Sequence, residues 1–273
     1  MASVGDTARP GGRVRAARPG GRKTWQDRLL PVLAAAGIVV LWQLIITVFG
    51  VPSYIAPTPG EVVGTLVGQA PNLARNFVPT ALESLAGFFF GTLVAIVMAI
   101  TFVHSRTSER AFFPIVVFVN TIPILAMAPI LVLIFGNGYP AKVIIAALIC
   151  FFPTLVNMVR GLKAVSPATL DLMRILSASK AEVFWKIRLQ SSLPFLFSAL
   201  KISATLCVIG AIVGEWIGSN VGLGALIIEA QYNFRSSLLY ATVVIASGWS
   251  VLLFALVSLA ERRVIRWKSP AVH

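Results

Sequence analysis

Acidic residues are scarce in this chain: ten aspartates and glutamates face 23 lysines and arginines, and charged residues make up only 12% of the sequence. A soluble domain is normally about a quarter charged. The shortage argues against a large water-exposed fold. Cysteine is nearly absent: Cys150 and Cys207 both lie in apolar runs, with no Cys-x-x-Cys spacing and no histidine nearby. A disulfide framework and a thiolate metal site are set aside, and both cysteines read as small buried hydrophobes. Of the two histidines, His104 stands alone at a turn, and no role attaches to it. No residues suggest a catalytic triad, a metal site or a dinucleotide site. No Gly-x-x-x-x-Gly-Lys-Ser/Thr run occurs, so the chain carries no phosphate-cradling loop of its own. It also lacks an Asp–Glu pair suited to activating a hydrolytic water.

What fills the sequence instead is apolar residues, at 57%. Several runs reach the ~20 residues that a membrane-crossing helix needs. We read six spans, at about 29–49, 79–103, 112–135, 141–159, 195–217 and 238–259. A Pro-rich break follows the first, then a short amphipathic helix at about 61–73. The third span carries Pro114, Pro123 and Pro129, and the loop after the fifth holds a short helix at about 226–230. Residues 1–28 are rich in Arg, Gly and Pro and read as a disordered basic tail. The apolar run after them is long and lacks an Ala-x-Ala cleavage site, so it reads as an uncleaved first span. The expected domain plan is that tail, a six-helix membrane domain over 29–262, and a second short tail over 263–273.

Cations fix the orientation. With the amino terminus inside, 19 of the 23 lysines and arginines fall in inside segments and three (Arg75, Lys142, Arg235) outside, with Lys201 in the fifth span. That asymmetry places both termini in the cytoplasm. The most basic internal segment, 160–194, joins the fourth and fifth spans and holds six cations against Asp171 and Glu182. Val183, Phe184 and Ile187 share one side of a helix, framed by Lys180, Glu182, Lys186 and Arg188. Such a face suits a groove on a soluble partner. The bland reading is a helix lying on the headgroups; on pattern alone both stand.

The run from Asp171 to Pro194 resembles the cytoplasmic signature loop of permease subunits in binding-protein-dependent ABC importers. Asp171-Leu-Met173 stands at that loop's Glu-Ala-Ala start, Leu176-Ser-Ala-Ser179 at its Leu-Gly-Ala-Ser step, and Leu193-Pro194 at its final Leu-Pro. Ser177 replaces the usual Gly and Gln190 the usual Pro. The resemblance extends over about 41–266. Ile122-Pro-Ile-Leu-Ala-Met-Ala-Pro-Ile130, Phe151-Phe-Pro153, and Gly210-Ala-Ile-Val-Gly-Glu-Trp216 with Gly222-Leu-Gly224 are similar to the nitrate/sulfonate/taurine subgroup and its pyrimidine and vitamin-precursor relatives. It implies an all-α, six-helix type I importer permease (MetI-like) fold. It also implies an ATPase-docking loop built on Asp171, Leu176, Ser177, Ala178, Ser179, Lys180, Val183, Phe184, Ile187 and Pro194. The implied partners are two ATPase subunits, which bind ATP and Mg, a second permease copy, and an extracytoplasmic solute-binding protein. This chain itself is then not an enzyme and holds no cofactor or metal.

Ionisable and polar groups at membrane depth are the candidates for the translocation route. Glu215 is the first of them, with a backbone amide or a neighbouring helix as its alternative partner. Asn120, Thr121, Pro123 and Asn157 follow, with interhelical hydrogen bonds as their commoner use. Glu83 is open between the outer interface and a functional place, and Lys201 reads as snorkelling to the inner headgroups. Trp216, Tyr232 and Phe234 read as interfacial aromatics. The glycines from Gly210 to Gly224 suit close packing in a dimer core. The rival function is an ATP-independent transporter or channel, which calls for paired ionisable groups deep in several spans. A membrane enzyme needs a reactive cluster, and none is visible. Sulfonates, nitrate, taurine, pyrimidine precursors and flavin-like vitamins all stay open as substrates.

Overall fold

A computed structural model describes residues 25–266; of the tail expected over 1–28, residues 1–24 lie outside them, as do the last residues of the chain. The chain divides after Gly50. The first unit contributes one described helix, α1 (Trp25–Phe49), which starts four residues before the expected span.

Among the described residues, the second unit is helical throughout its regular structure. After the proline break come α2 (Pro59–Gly68), α3 (Ala70–His104), α4 (Arg106–Thr121), α5 (Ile124–Phe135), α6 (Tyr139–Lys163) and α7 (Pro167–Ile175). The turn α8 (Lys180–Glu182) runs through a wide π-helical turn, Val183–Arg188, into α9 (Leu189–Glu215); α10 (Leu223–Tyr232) and α11 (Ser236–Val264) follow. Thr58 starts α2 with a reciprocal capping box to Glu61. Helix α2 stops at Gly68, and α3 begins at Ala70, well before the expected second span.

Among the described residues, five helices are long and apolar enough to cross a membrane; the pair α4–α5, bent by 100° at its break, makes a sixth when taken as one span. The expected third span is therefore not one straight helix. Pro123 has no N–H to continue α4 and biases Ile122 to extended backbone.

Helix α6 packs along both α3 and α9, and α11 lies against α9. Small residues permit the closest crossing. A Cβ on Gly91 would stand 2.4 Å from the Ala147 carbonyl oxygen, and one on Gly210 would stand 2.7 Å from the Ala146 Cα. Gly210 thus packs inside one protomer, not in the dimer core expected for it. Cys150 and Cys207 are buried side by side with Ala204 and Val208. At the end of the bundle near the basic segment, the core joins Ala95, Ala99 and Phe102 to Leu155, Met158 and Leu162.

Lys201 does not snorkel free: its ammonium pairs with Glu261 of α11 at 2.8 Å. The pair is a quarter exposed at both ends. Lys201→Met should therefore shift the apparent Tm in detergent by only a few degrees, as expected for a pair worth about 1 kcal/mol or less.

Candidate functional site

Three regions bring the predicted residues together or apart. The first is the basic segment over 160–194. Ser166 caps α7 through the Thr169 N–H, and Pro167 occupies the first helical position. The last turns of α7 place Leu172, Ile175 and Leu176 at i, i+3 and i+4, and all three are exposed, Ile175 at 79%. Asp171 and Arg174 pair beside them at 3.0 Å, both largely in solvent.

The helix then stops in a Schellman turn: the Ser177 N–H donates to the Arg174 carbonyl and the Ala178 N–H to the Met173 carbonyl. Ser177 takes φ +53°, the left-handed conformation that glycine enters freely. The geometry is reached without the glycine, at about 1 kcal/mol. Ser177→Gly should recover part of that cost and raise the apparent Tm slightly, with partner binding intact; a fall in Tm contradicts the turn assignment.

Ser179 then opens α8 with a capping box to Glu182. The Ser179 N–H, helped by Lys186, holds the Glu182 carboxyl down to about 2. The stability this box contributes is complete above the ordinary glutamate range and is lost as pH falls toward 2.

Phe184 corrects the sequence reading. It is only 7% exposed and packs into the cluster of Phe102, Leu155 and Leu162, with the His104 ring 5.0 Å away. Val183 and Ile187 are half-buried on the same side, so this face looks into the bundle, not toward a partner. His104, given no role from sequence, is part of that packing. Gln190 and Pro194 lie in an unbroken α9, which Gln190 in place of proline leaves free to continue. The exposed apolar face belongs to α7, whose i, i+3, i+4 spacing was the available signal.

The second region lies at mid-height of α6. A cavity of about 420 Å³ opens between the α4–α5 elbow and α6, lined by Asn120, Thr121 and Pro123 with Phe151 and Phe152. Asn157 is not among its walls; its amide donates to the Pro153 carbonyl at 2.8 Å.

The third region, at the far end of the bundle, was mostly missed. Helix α10 starts at a loop whose consecutive N–H groups would be orphans. The Gly222 N–H donates to Asn76 Oδ1 at 2.9 Å, the Leu223 N–H to Thr80 Oγ1 at 2.8 Å, and the Gly224 N–H to Glu215 Oε2 at 2.6 Å. The Thr80 hydroxyl donates in turn to Glu215 Oε1 at 2.6 Å. Gly222 (φ +117°) leaves room for this carboxylate, since a Cβ there would stand 2.1 Å from Glu215 Oε1.

Glu83 does not face the outer interface. It is fully buried, and Lys142 sits 3.2 Å from its Oε1 as an ion pair rather than an aligned hydrogen bond. Lys142, counted as an outside-loop cation, is itself buried in α6 and also donates to Ser219 Oγ at 2.7 Å. Its charge acts on both carboxylates. Glu215 does not line the elbow cavity; it anchors the loop before α10 to α3 and α9.

Comparison with known proteins places these features. Residues 87–266 match the family described as binding-protein-dependent transport system inner membrane component. A probable ABC transporter permease protein of Haemophilus influenzae is 34% identical over 226 residues, covering 83% of this chain and 92% of the relative. The formylaminopyrimidine transport permease protein ThiX of Halalkalibacterium halodurans is 31% identical, covering 88% and 96%. The riboflavin transport system permease protein RibX of Chloroflexus aurantiacus is also 31% identical, covering 91% and 93%. An inward-facing MetNI methionine ABC transporter shares the fold at a TM-score of 0.60 and 19% identity, covering 73% of this chain and 97% of that one. Six apolar crossings, a basic segment with an exposed helix, and no phosphate loop are thus joined to a family match over most of the chain. The chain belongs to the binding-protein-dependent transport system inner membrane component family and is a permease subunit of an ATP-driven ABC importer.

Proposed function

We propose that α7 and the turn after it, from Asp171 to Lys180, form the grip for a cytoplasmic ATPase subunit. The observation that carries this is an unpartnered apolar face, Leu172–Ile175–Leu176, on a basic segment of a chain with no ATP site of its own. Val183, Phe184 and Ile187 support the grip from beneath: they pack its base onto α3 and α6, so motion of α7 reaches the membrane helices. ATP and Mg belong to the partner. Two permease copies with two ATPases and an extracytoplasmic binding protein make up the importer, and both termini lie in the cytoplasm.

Solute passes the elbow cavity of Asn120, Thr121 and Pro123, with Asn157 steadying α6 below it. The Glu215 network holds the outer loop that the binding protein meets. Transport is alternating access, driven because ATPase and binding protein prefer different conformations of the permease.

Orientation and grip share one test. A cysteine replacing Ile175 should react with a membrane-impermeant maleimide only in inside-out vesicles, and lose that reactivity when the ATPase is bound. A cysteine replacing Tyr232, which is 80% exposed, should react only from the opposite side. Labelling of both from one side contradicts the topology.

A further inference from the structure

The elbow cavity has a chemistry that narrows the solute, given the reading of it as part of the route. None of its thirteen lining residues is charged, and only Asn120 and Thr121 bring polar side-chain atoms. The walls are Phe151 and Phe152, the thioether of Met127, and aliphatic side chains such as Ile149. Aromatic faces and a polarisable sulfur suit a flat ring.

The polar edge comes from the broken backbone. Pro123 offers no N–H, and among the described residues the carbonyls of Asn120, Thr121 and Ile122 accept no backbone hydrogen bond. Across the elbow, the first N–H groups of α5 point out of its start. The Asn120 amide makes no hydrogen bond among the described residues and adds a donor and an acceptor. The Thr121 hydroxyl is engaged by its own helix, donating to the Phe118 carbonyl at 2.7 Å.

An oxyanion fits this site badly. The amino end of α5 would attract it, but the carboxyl end of α4 meets the same elbow with the opposite partial charge. No lysine, arginine or histidine lines the cavity to compensate. A neutral ring with donors and acceptors along one edge uses both helix ends at once. The volume, about 420 Å³, lies in the range of small-molecule sites.

We infer that the elbow cavity is a transit site for a flat, uncharged heteroaromatic ring carrying both hydrogen-bond donors and acceptors, of the pyrimidine or isoalloxazine kind, and not for a sulfonate, nitrate or bicarbonate ion.

The test uses the permease co-purified with its ATPase in lipid nanodiscs. Riboflavin is titrated by fluorescence quenching, then challenged with 4-aminopyrimidine, ethanesulfonate, nitrate and bicarbonate. Riboflavin should bind and 4-aminopyrimidine should displace it, while the three anions should not. Asn120→Ala and Phe152→Leu should each weaken binding at least about tenfold, and Leu252→Ala, on the outer face of α11, should not change it. The inference is overturned if riboflavin shows no binding up to about 1 mM, if Asn120→Ala binds it as well as the parent, or if an anion displaces it. ATPase retained on the purified parent reports the coupling reading separately, so a parent complex that keeps its ATPase but binds no riboflavin sinks this inference alone.

Discussion

Ile175→Asp should detach the ATPase and leave the membrane bundle folded, whereas Phe184→Asp should unfold the bundle before any docking can be scored. The two residues are nine positions apart in one basic segment, but their surroundings are opposite. Ile175 is 79% exposed at the end of α7; Phe184 is 7% exposed among Phe102, Leu155 and Leu162. A charge in the centre of a docking face removes an apolar anchor and buries an unpaired carboxylate, an effect of about 2 kcal/mol or more, or roughly 30-fold in affinity. A charge at Phe184 removes a core ring worth about 3–5 kcal/mol and adds desolvation. Co-purification of the ATPase on a tagged permease reads the first, and size-exclusion behaviour in detergent reads the second. Equal ATPase recovery with Ile175→Asp would place the grip elsewhere.

Lys142→Met should be the most destabilising single change at the Glu215 end of the bundle, about 3–5 kcal/mol, because it leaves two buried carboxylates without their cation. The apparent Tm should fall by roughly 10 °C. Adding Glu83→Gln should restore at least half of that loss, since the uncompensated charge is then removed. Glu215 keeps its bonds from Thr80 and the Gly224 N–H in the double variant. Independent, additive losses in the double variant would show that the pair does not act as a unit.

A cluster of two acids and a lysine is also what an ion relay would show. Here the groups bind one another, Thr80, Ser219 and the loop N–H groups at one end of the bundle. A clamp on the loop before α10 accounts for every one of those contacts.

How far this was legible in the sequence follows from the kind of signal each residue carries. Long apolar runs mark spans because bilayer thickness sets their length, and the prolines mark breaks because a missing N–H cannot be hidden. A bend in the third span was legible from Pro123 and Pro129, but its 100° angle and its place at Pro123 rather than Pro129 show only in the structure.

The basic loop was legible from charge and pattern, but its face was not. Val183–Phe184–Ile187 and Leu172–Ile175–Leu176 both show helical apolar spacing, and nothing local says which one meets the bundle. The Lys142–Glu83 pair was hidden by position. A lysine one turn into a helix reads as an interfacial residue, and its partner lies 59 residues earlier on another helix. Gly222 and Gly224 were noticed, but their use as space for the Glu215 carboxylate is visible only once the loop is closed over it.

The most direct test of the whole account is uptake of the solute carried by the binding protein into proteoliposomes that enclose ATP. The permease is reconstituted with its ATPase, with an ATPase unable to hydrolyse ATP, or alone. The account predicts accumulation with the active ATPase only, abolished by Ile175→Asp. Accumulation at the same rate by the permease alone would contradict it.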